Sequence, residues 1–125
     1  MSKFDIDWGN SEASLLIVTF NTGWNFQDYS ECVKELRTIA LSKGYTLHLF
    51  PDLQMTKSVP DDILIMMKSI ENFMVDNIDF IVLISPSSVW TKLYRSFQHL
   101  LPPEITIEFA SNTDRAYQIL HNKAF

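Results

Sequence analysis

Three residue types are scarce in this 125-residue chain, and each shortage removes a class of function. Cysteine occurs once, at Cys32, so there is no internal disulfide framework and no cysteine-rich zinc site. Glycine occurs three times, at 9, 23 and 44, which leaves no glycine-rich loop to cradle a nucleotide phosphate. Basic residues number ten against fifteen acidic ones, a net charge of -5. That balance argues against nonspecific nucleic-acid binding and against anionic membrane surfaces, both of which need a basic face. No apolar run approaches the ~18 residues of a membrane helix. The first ten residues, MSKFDIDWGN, contain no apolar core of a signal peptide. The expectation is a cytoplasmic protein that binds neither nucleic acid nor membrane.

What is present is ordinary globular material. Hydrophobic residues make up 46% and charged residues 20%, enough for one domain, 1–125, around one core. The stretch that organises the chain is IDFIVLISPSSVWTKLYRSF, residues 78–97. Its apolar run up to Ile84 is short and β-branched, as in a strand buried on both faces. Ser85-Pro86-Ser87-Ser88 then supplies helix-start chemistry. Val89 or Trp90, Leu93, Phe97 and Leu100 continue at helical spacing until Pro102-Pro103.

The remaining elements follow the same logic. Phe4, Ile6 and Trp8 alternate with Asp5 and Asp7, a half-buried strand. Leu15 to Phe20 is a second strand, close enough for an antiparallel hairpin. Asn25 and Asp28 form a capping box for a helix over about 26–43, which Gly44 ends in a left-handed cap. Tyr45 to Phe50 is a third strand, ended by Pro51. Ser58, Pro60 and Asp61 start a helix over about 59–76, with Ile63, Met66, Met67, Ile70, Phe73 and Met74 as its apolar stripe. Glu104 to Ala110 is a fifth strand at a sheet edge. Ser111 and Asp114 cap the last helix. The order is β-β-α-β-α-β-α-β-α: an α/β domain with a mixed, mostly parallel five-stranded sheet and about four helices.

This element order, the leading hairpin and the final unit ITIEFASNTDRAYQIL resemble the STAS-like family, and the resemblance covers roughly residues 4–122. It is closest to small stand-alone bacterial STAS-like proteins and similar to the anti-sigma-factor antagonists. In those antagonists a serine at the start of the second helix is phosphorylated by a partner kinase. The matching place here is the loop from Asp52 to Ser58. It reads Lys57-Ser58-Val59-Pro60, without the aspartate-serine pair or the glycine of the family motif. The resemblance implies a non-enzymatic regulatory or adaptor module that works through protein contacts at the start of helix two and the adjacent loops. Ser58 is the candidate regulatory residue, and Trp8, Trp24, Asp52 and Thr56 are the candidate interface residues. A small-molecule or lipid carrier with an apolar pocket under helix two is the alternative.

Each candidate has a plainer structural reading. Ser58, Ser85, Ser87, Ser88 and Ser111 all sit where a helix cap is wanted. Serines beyond strand ends could also hold an anion. His48, His99 and His121 lack metal-ligand spacing, and no cofactor is expected. Asp52 follows a strand as in a receiver domain, but the acidic pair of such a site is missing. Cys32 reads as a small buried apolar residue. The tryptophans are either core closure or interface anchors. The edge strand with Phe4, Ile6 and Trp8 is where a sheet could extend into a homodimer.

Overall fold

A computed structural model describes residues 3–56, 77–100 and 106–124. Five strands and three α-helices lie in these segments. They are β1 (Phe4–Trp8), β2 (Leu15–Phe20), α1 (Phe26–Ser42), β3 (Leu47–Asp52), β4 (Ile78–Ile84), α2 (Val89–Phe97), β5 (Thr106–Ala110) and α3 (Thr113–Ala124). A 3-10 turn over Gln98–Leu100 follows α2. The helix expected over 59–76 lies outside the described residues, as does Ser58.

The strands form one sheet in sequence order, β1-β2-β3-β4-β5. The leading hairpin is antiparallel, and every later pairing is parallel. The fold is therefore α/β with a mixed sheet, and β1 and β5 are its two edges.

Alternation along the strands loads both faces. Leu16, Val18, Phe20, Leu49, Ile81 and Phe109 point to one face, where Cys32, Leu36 and Ala40 of α1 and Trp90 and Leu93 of α2 cover them. Leu15, Phe50, Phe80, Val82, Ile84 and Ala110 point to the other, under Ala116, Ile119 and Leu120 of α3. Strand β4 feeds both layers, which is why its sequence is continuously apolar from Phe80 to Ile84 rather than alternating.

Three local expectations are corrected. The third strand does not begin at Tyr45 or stop at Pro51; it runs through Asp52. Its pairing with β2 is continuous, with Val18 opposite Pro51 and Thr19 opposite Asp52, and pairing with β4 resumes at Asp52 opposite Ile84. Neighbours on both sides hold this strand past the lost proline N–H, where an isolated proline would end it.

Helix α1 has the expected capping box, with Asn25 accepting from the Asp28 N–H and Asp28 accepting from the Asn25 N–H. Its other end is not closed by a left-handed Gly44; positive φ among glycines is confined to Gly23 in the described residues. Lys43 leaves the helix in extended conformation. The Asn77 side-chain amide, from the turn before β4, donates to the carbonyls of Ala40 (2.7 Å) and Tyr45 (3.2 Å). A distant side chain thus supplements the one local bond at this end, from the Lys43 N–H to the Ala40 carbonyl at 3.1 Å.

Helix α3 is capped by Asn112, whose Oδ1 accepts from the Arg115 N–H at 2.8 Å, and not by Ser111.

Candidate functional site

The C-terminal ends of the parallel strands carry three strand exits: the loops after β3, β4 and β5. Beside them lies the turn between β2 and α1. This is the end of an open α/β sheet at which ligands and partners are usually met. The helices start here too, so backbone N–H groups converge on the same side.

Two tryptophans build the floor. Trp24 enters α1 and Trp90 enters α2, and their rings stack at 6.5 Å with 23° between planes. Phe20, the last residue of β2, lies 4.8 Å from Trp24. Only 8% of Trp24 is exposed, so it offers a partner little surface. Its polar edge acts instead: the indole N–H donates to the Thr56 hydroxyl at 2.8 Å. A buried Trp needs an acceptor for that N–H, and here the acceptor ties down a loop.

The loop after β3 is held at three further points. Leu53 N–H donates to the Ile84 carbonyl at 2.8 Å, extending the sheet hydrogen bonding by one residue. Thr56 N–H returns to the Leu53 carbonyl at 3.0 Å, closing a turn. The Thr22 hydroxyl donates to the Met55 carbonyl at 3.1 Å. Leu53 is buried in the core, whereas Met55 projects with 52% of its surface exposed. The result is a rigid turn with an apolar tip.

Asp52 sits at the base of this turn, half-buried. Its carboxylate accepts from the Gln54 backbone N–H at 3.0 Å and from the Gln54 side-chain amide at 3.1 and 3.2 Å. The same amide reaches the Thr113 hydroxyl at 3.2 Å, linking the loop to the start of α3. Asp52 therefore shapes the loop from below.

Beside it, between the exits of β4 and β5, lies a cleft of about 180 Å³. Ser85, Ser87, Ser88, Thr91 and Ser111 line it, over Leu83 and Phe109. Part of this hydroxyl set serves local structure. Ser85 Oγ accepts from the Ser87 N–H at 3.1 Å, and Ser87 Oγ accepts from the Val89 N–H at 3.3 Å. Ser88 occupies the N-cap position of α2 without a side-chain capping bond.

The other expected residues lie elsewhere. Trp8 is at the far end of β1, 40% exposed, with the Lys43 ammonium 5.4 Å from its ring centre. His48 packs its ring edge-on against Phe80 at 6.1 Å. It stands four strand positions from Asp52, about 13 Å along β3, so these two are not brought together. Among the described residues no group of three or more His, Cys, Asp or Glu is placed to hold a metal ion. No helix among them is long and apolar enough to cross a membrane.

Cys32 is fully buried, and burial, with Glu35 as a lesser cause, pushes its thiol up to about 12. Burial likewise raises Tyr29 above the ordinary tyrosine range, with Cys32 adding to it. Both groups are neutral core residues at physiological pH. The apolar Met55 tip was not singled out by sequence reasoning. A methionine in a polar loop carries no periodic signal, although its place two residues after a buried leucine is the trace of a turn.

No family model and no curated protein matches this chain.

Proposed function

We propose that this chain is a STAS-like regulatory or adaptor module that acts through protein–protein contact, with the loop after β3 as its contact surface. The observation that carries the reading is the Met55 tip on a turn pinned by Trp24, Thr22 and Leu53. An apolar side chain held out on a preorganised loop loses little conformational entropy when a partner covers it. The STAS-like resemblance rests on element order, the leading hairpin and the final unit ITIEFASNTDRAYQIL; the antiparallel hairpin followed by parallel strands supports that part of the reading. Ser58, two residues beyond Thr56 in the sequence, remains the candidate phosphorylation site of this reading, and a phosphate there would add nearly two negative charges.

The test is a native pull-down from the source cytosol with wild-type and Met55→Asp baits, reading the intact mass of each bait in the same run. The expected result is a stoichiometric partner on the wild type, lost on Met55→Asp, with the melting temperature unchanged. A phosphate mapped to Ser58 would extend the reading to a regulated contact. Equal capture by both baits would remove the loop from the interface. A bait with no partner that releases a small molecule into organic solvent would replace the reading with the carrier alternative.

A further inference from the structure

Strand β1 ends the sheet and, among the described residues, pairs with β2 alone. Its ladder fixes which backbone groups face outward. The Gly9 N–H donates to the Leu15 carbonyl, and the Asn21 N–H donates to the Lys3 carbonyl. Both pairs lie in direct register with Phe4 opposite Phe20, so odd-numbered residues bond inward to β2. Hydrogen-bonded and non-bonded pairs alternate in an antiparallel ladder. Ile6 and Trp8 therefore turn their N–H and C=O groups away from the sheet.

The side chains of β1 are sorted as sharply. Phe4 and Ile6 join the core on the α1 side, and Trp8 extends that row to the strand end with its ring part-exposed. Asp5 and Asp7 stand exposed on the opposite face, in register with Thr19 and Ile17. Asp5 accepts one hydrogen bond from the Asn21 side chain at 3.2 Å, and among the described residues neither carboxylate is in an ion pair.

We propose that the outer edge of β1 docks, by strand addition, an extended segment of a partner protein in which basic and apolar residues alternate. Main-chain bonds to Ile6 and Trp8 would supply the pairing, and side chains at every second position would supply the choice. Basic residues would lie beside Asp5 and Asp7, with Cβ atoms about 5 Å apart. Apolar residues would lie beside Ile6 and the Trp8 ring.

A second copy of this chain is a poorer occupant than a basic strand at full overlap of the two β1 strands. Pairing two β1 strands about a two-fold axis through their outward groups sets even-numbered residues opposite even-numbered ones. At full overlap, with Ile6 opposite Ile6, Asp5 of each copy faces Asp7 of the other, and like charges directly opposite are unfavourable. The carboxylates that oppose full-overlap pairing of two copies are the groups that select a basic strand. This surface is distinct from the loop after β3, and the proposal does not depend on the STAS-like reading.

The probe is a synthetic eight-residue peptide of alternating lysine and valine, titrated into the isotope-labelled full chain, with an alternating glutamate–valine peptide as comparison. The expected result is movement of the Ile6 and Trp8 amide signals with the lysine peptide only. Asp5→Asn with Asp7→Asn should weaken that binding about fivefold. Asp5→Lys with Asp7→Lys should reverse the preference towards the glutamate peptide, which a merely unfolded variant would not do. Equal binding of both peptides, signal changes confined to residues away from β1, no binding, or concentration-dependent pairing of β1 with itself would each overturn the proposal.

Discussion

Asn77 closes the end of α1 from outside the helix. Its side-chain amide reaches the carbonyls of Ala40, Lys43 and Tyr45, while its own carbonyl accepts from the Leu47 N–H at 2.7 Å. One residue therefore ties the helix end to the start of β3. Asn77→Ala removes this donor from the three carbonyls, of which Ala40 keeps the Lys43 N–H at 3.1 Å, and should cost about 1–3 kcal/mol, read as a lower urea midpoint at unchanged slope. Asn77→Asp should cost at least as much, because carboxylate oxygens would then face carbonyl oxygens. Gly9 is the second single-residue constraint. A Cβ there would meet Leu15 Cδ2 at 2.7 Å and Ile17 Cδ1 at 2.8 Å, and Leu15 is fully buried. Gly9→Ala should overpack this corner by about 1–3 kcal/mol, again measured by denaturant unfolding. Its carbonyl also accepts from the Tyr117 hydroxyl at 2.8 Å, so a shift at Gly9 would disturb the seat of α3.

At the scale of elements, the two polar strand exits after β4 and β5 separate residues that look alike in sequence. Ser87 supplies the oxygen that receives the Val89 N–H, whereas neighbouring Ser88 makes no capping bond. Ser87→Ala should therefore lower stability by about 1 kcal/mol, and Ser88→Ala by less than about 0.5 kcal/mol. At α3 the same comparison sets Asn112→Ala, about 1 kcal/mol, against a near-neutral Ser111→Ala. Thermal and urea unfolding of the four variants would check the ranking; equal losses within either pair would contradict the cap assignments. The spacing of polar residues announces that a helix starts, and it did so correctly at Asn25. It does not say which of several adjacent hydroxyls or amides turns inward, since that depends on a few tenths of an ångström in the strand exit. Pro51 makes the same point for strands. Read locally it is a stop, yet β3 continues because β2 and β4 hold it on both sides.

At the scale of the molecule, buried Cys32 and the partly buried Tyr29 packed beside it set a limit on alkaline stability. Burial raises both above their ordinary values of 10.0 and 9.0. The unfolded chain therefore loses these protons first as pH rises. The stability they confer is complete below about pH 9 and declines as pH climbs towards the folded Cys32 value of about 12. The slope approaches about 1.4 kcal/mol per pH unit for each group once its unfolded form is ionised. Urea midpoints should fall between pH 9 and 11, and Cys32→Ala should flatten the first part of that fall. A midpoint independent of pH over this range would mean that neither group is held neutral in the core. The same burial predicts that Cys32 resists thiol reagents in the native chain at neutral pH and reacts in denaturant.

The α/β class, the antiparallel hairpin, the five strands and the edge position of β5 were written into residue order. Apolar periodicity records which side chains leave water, and that record is local. The sheet order and the roles of particular polar groups were decided only by the tertiary structure. Trp24 reads in sequence first as core closure and second as an interface anchor; folding buries its ring against Trp90 and leaves its N–H to fix Thr56. Asn77 reads as a turn residue, and folding brings it to the end of a helix 35 positions earlier (77 against 42). The physical reason is common to both cases. Burial is paid out residue by residue along the chain, but a buried donor takes whichever acceptor the fold brings within about 3 Å.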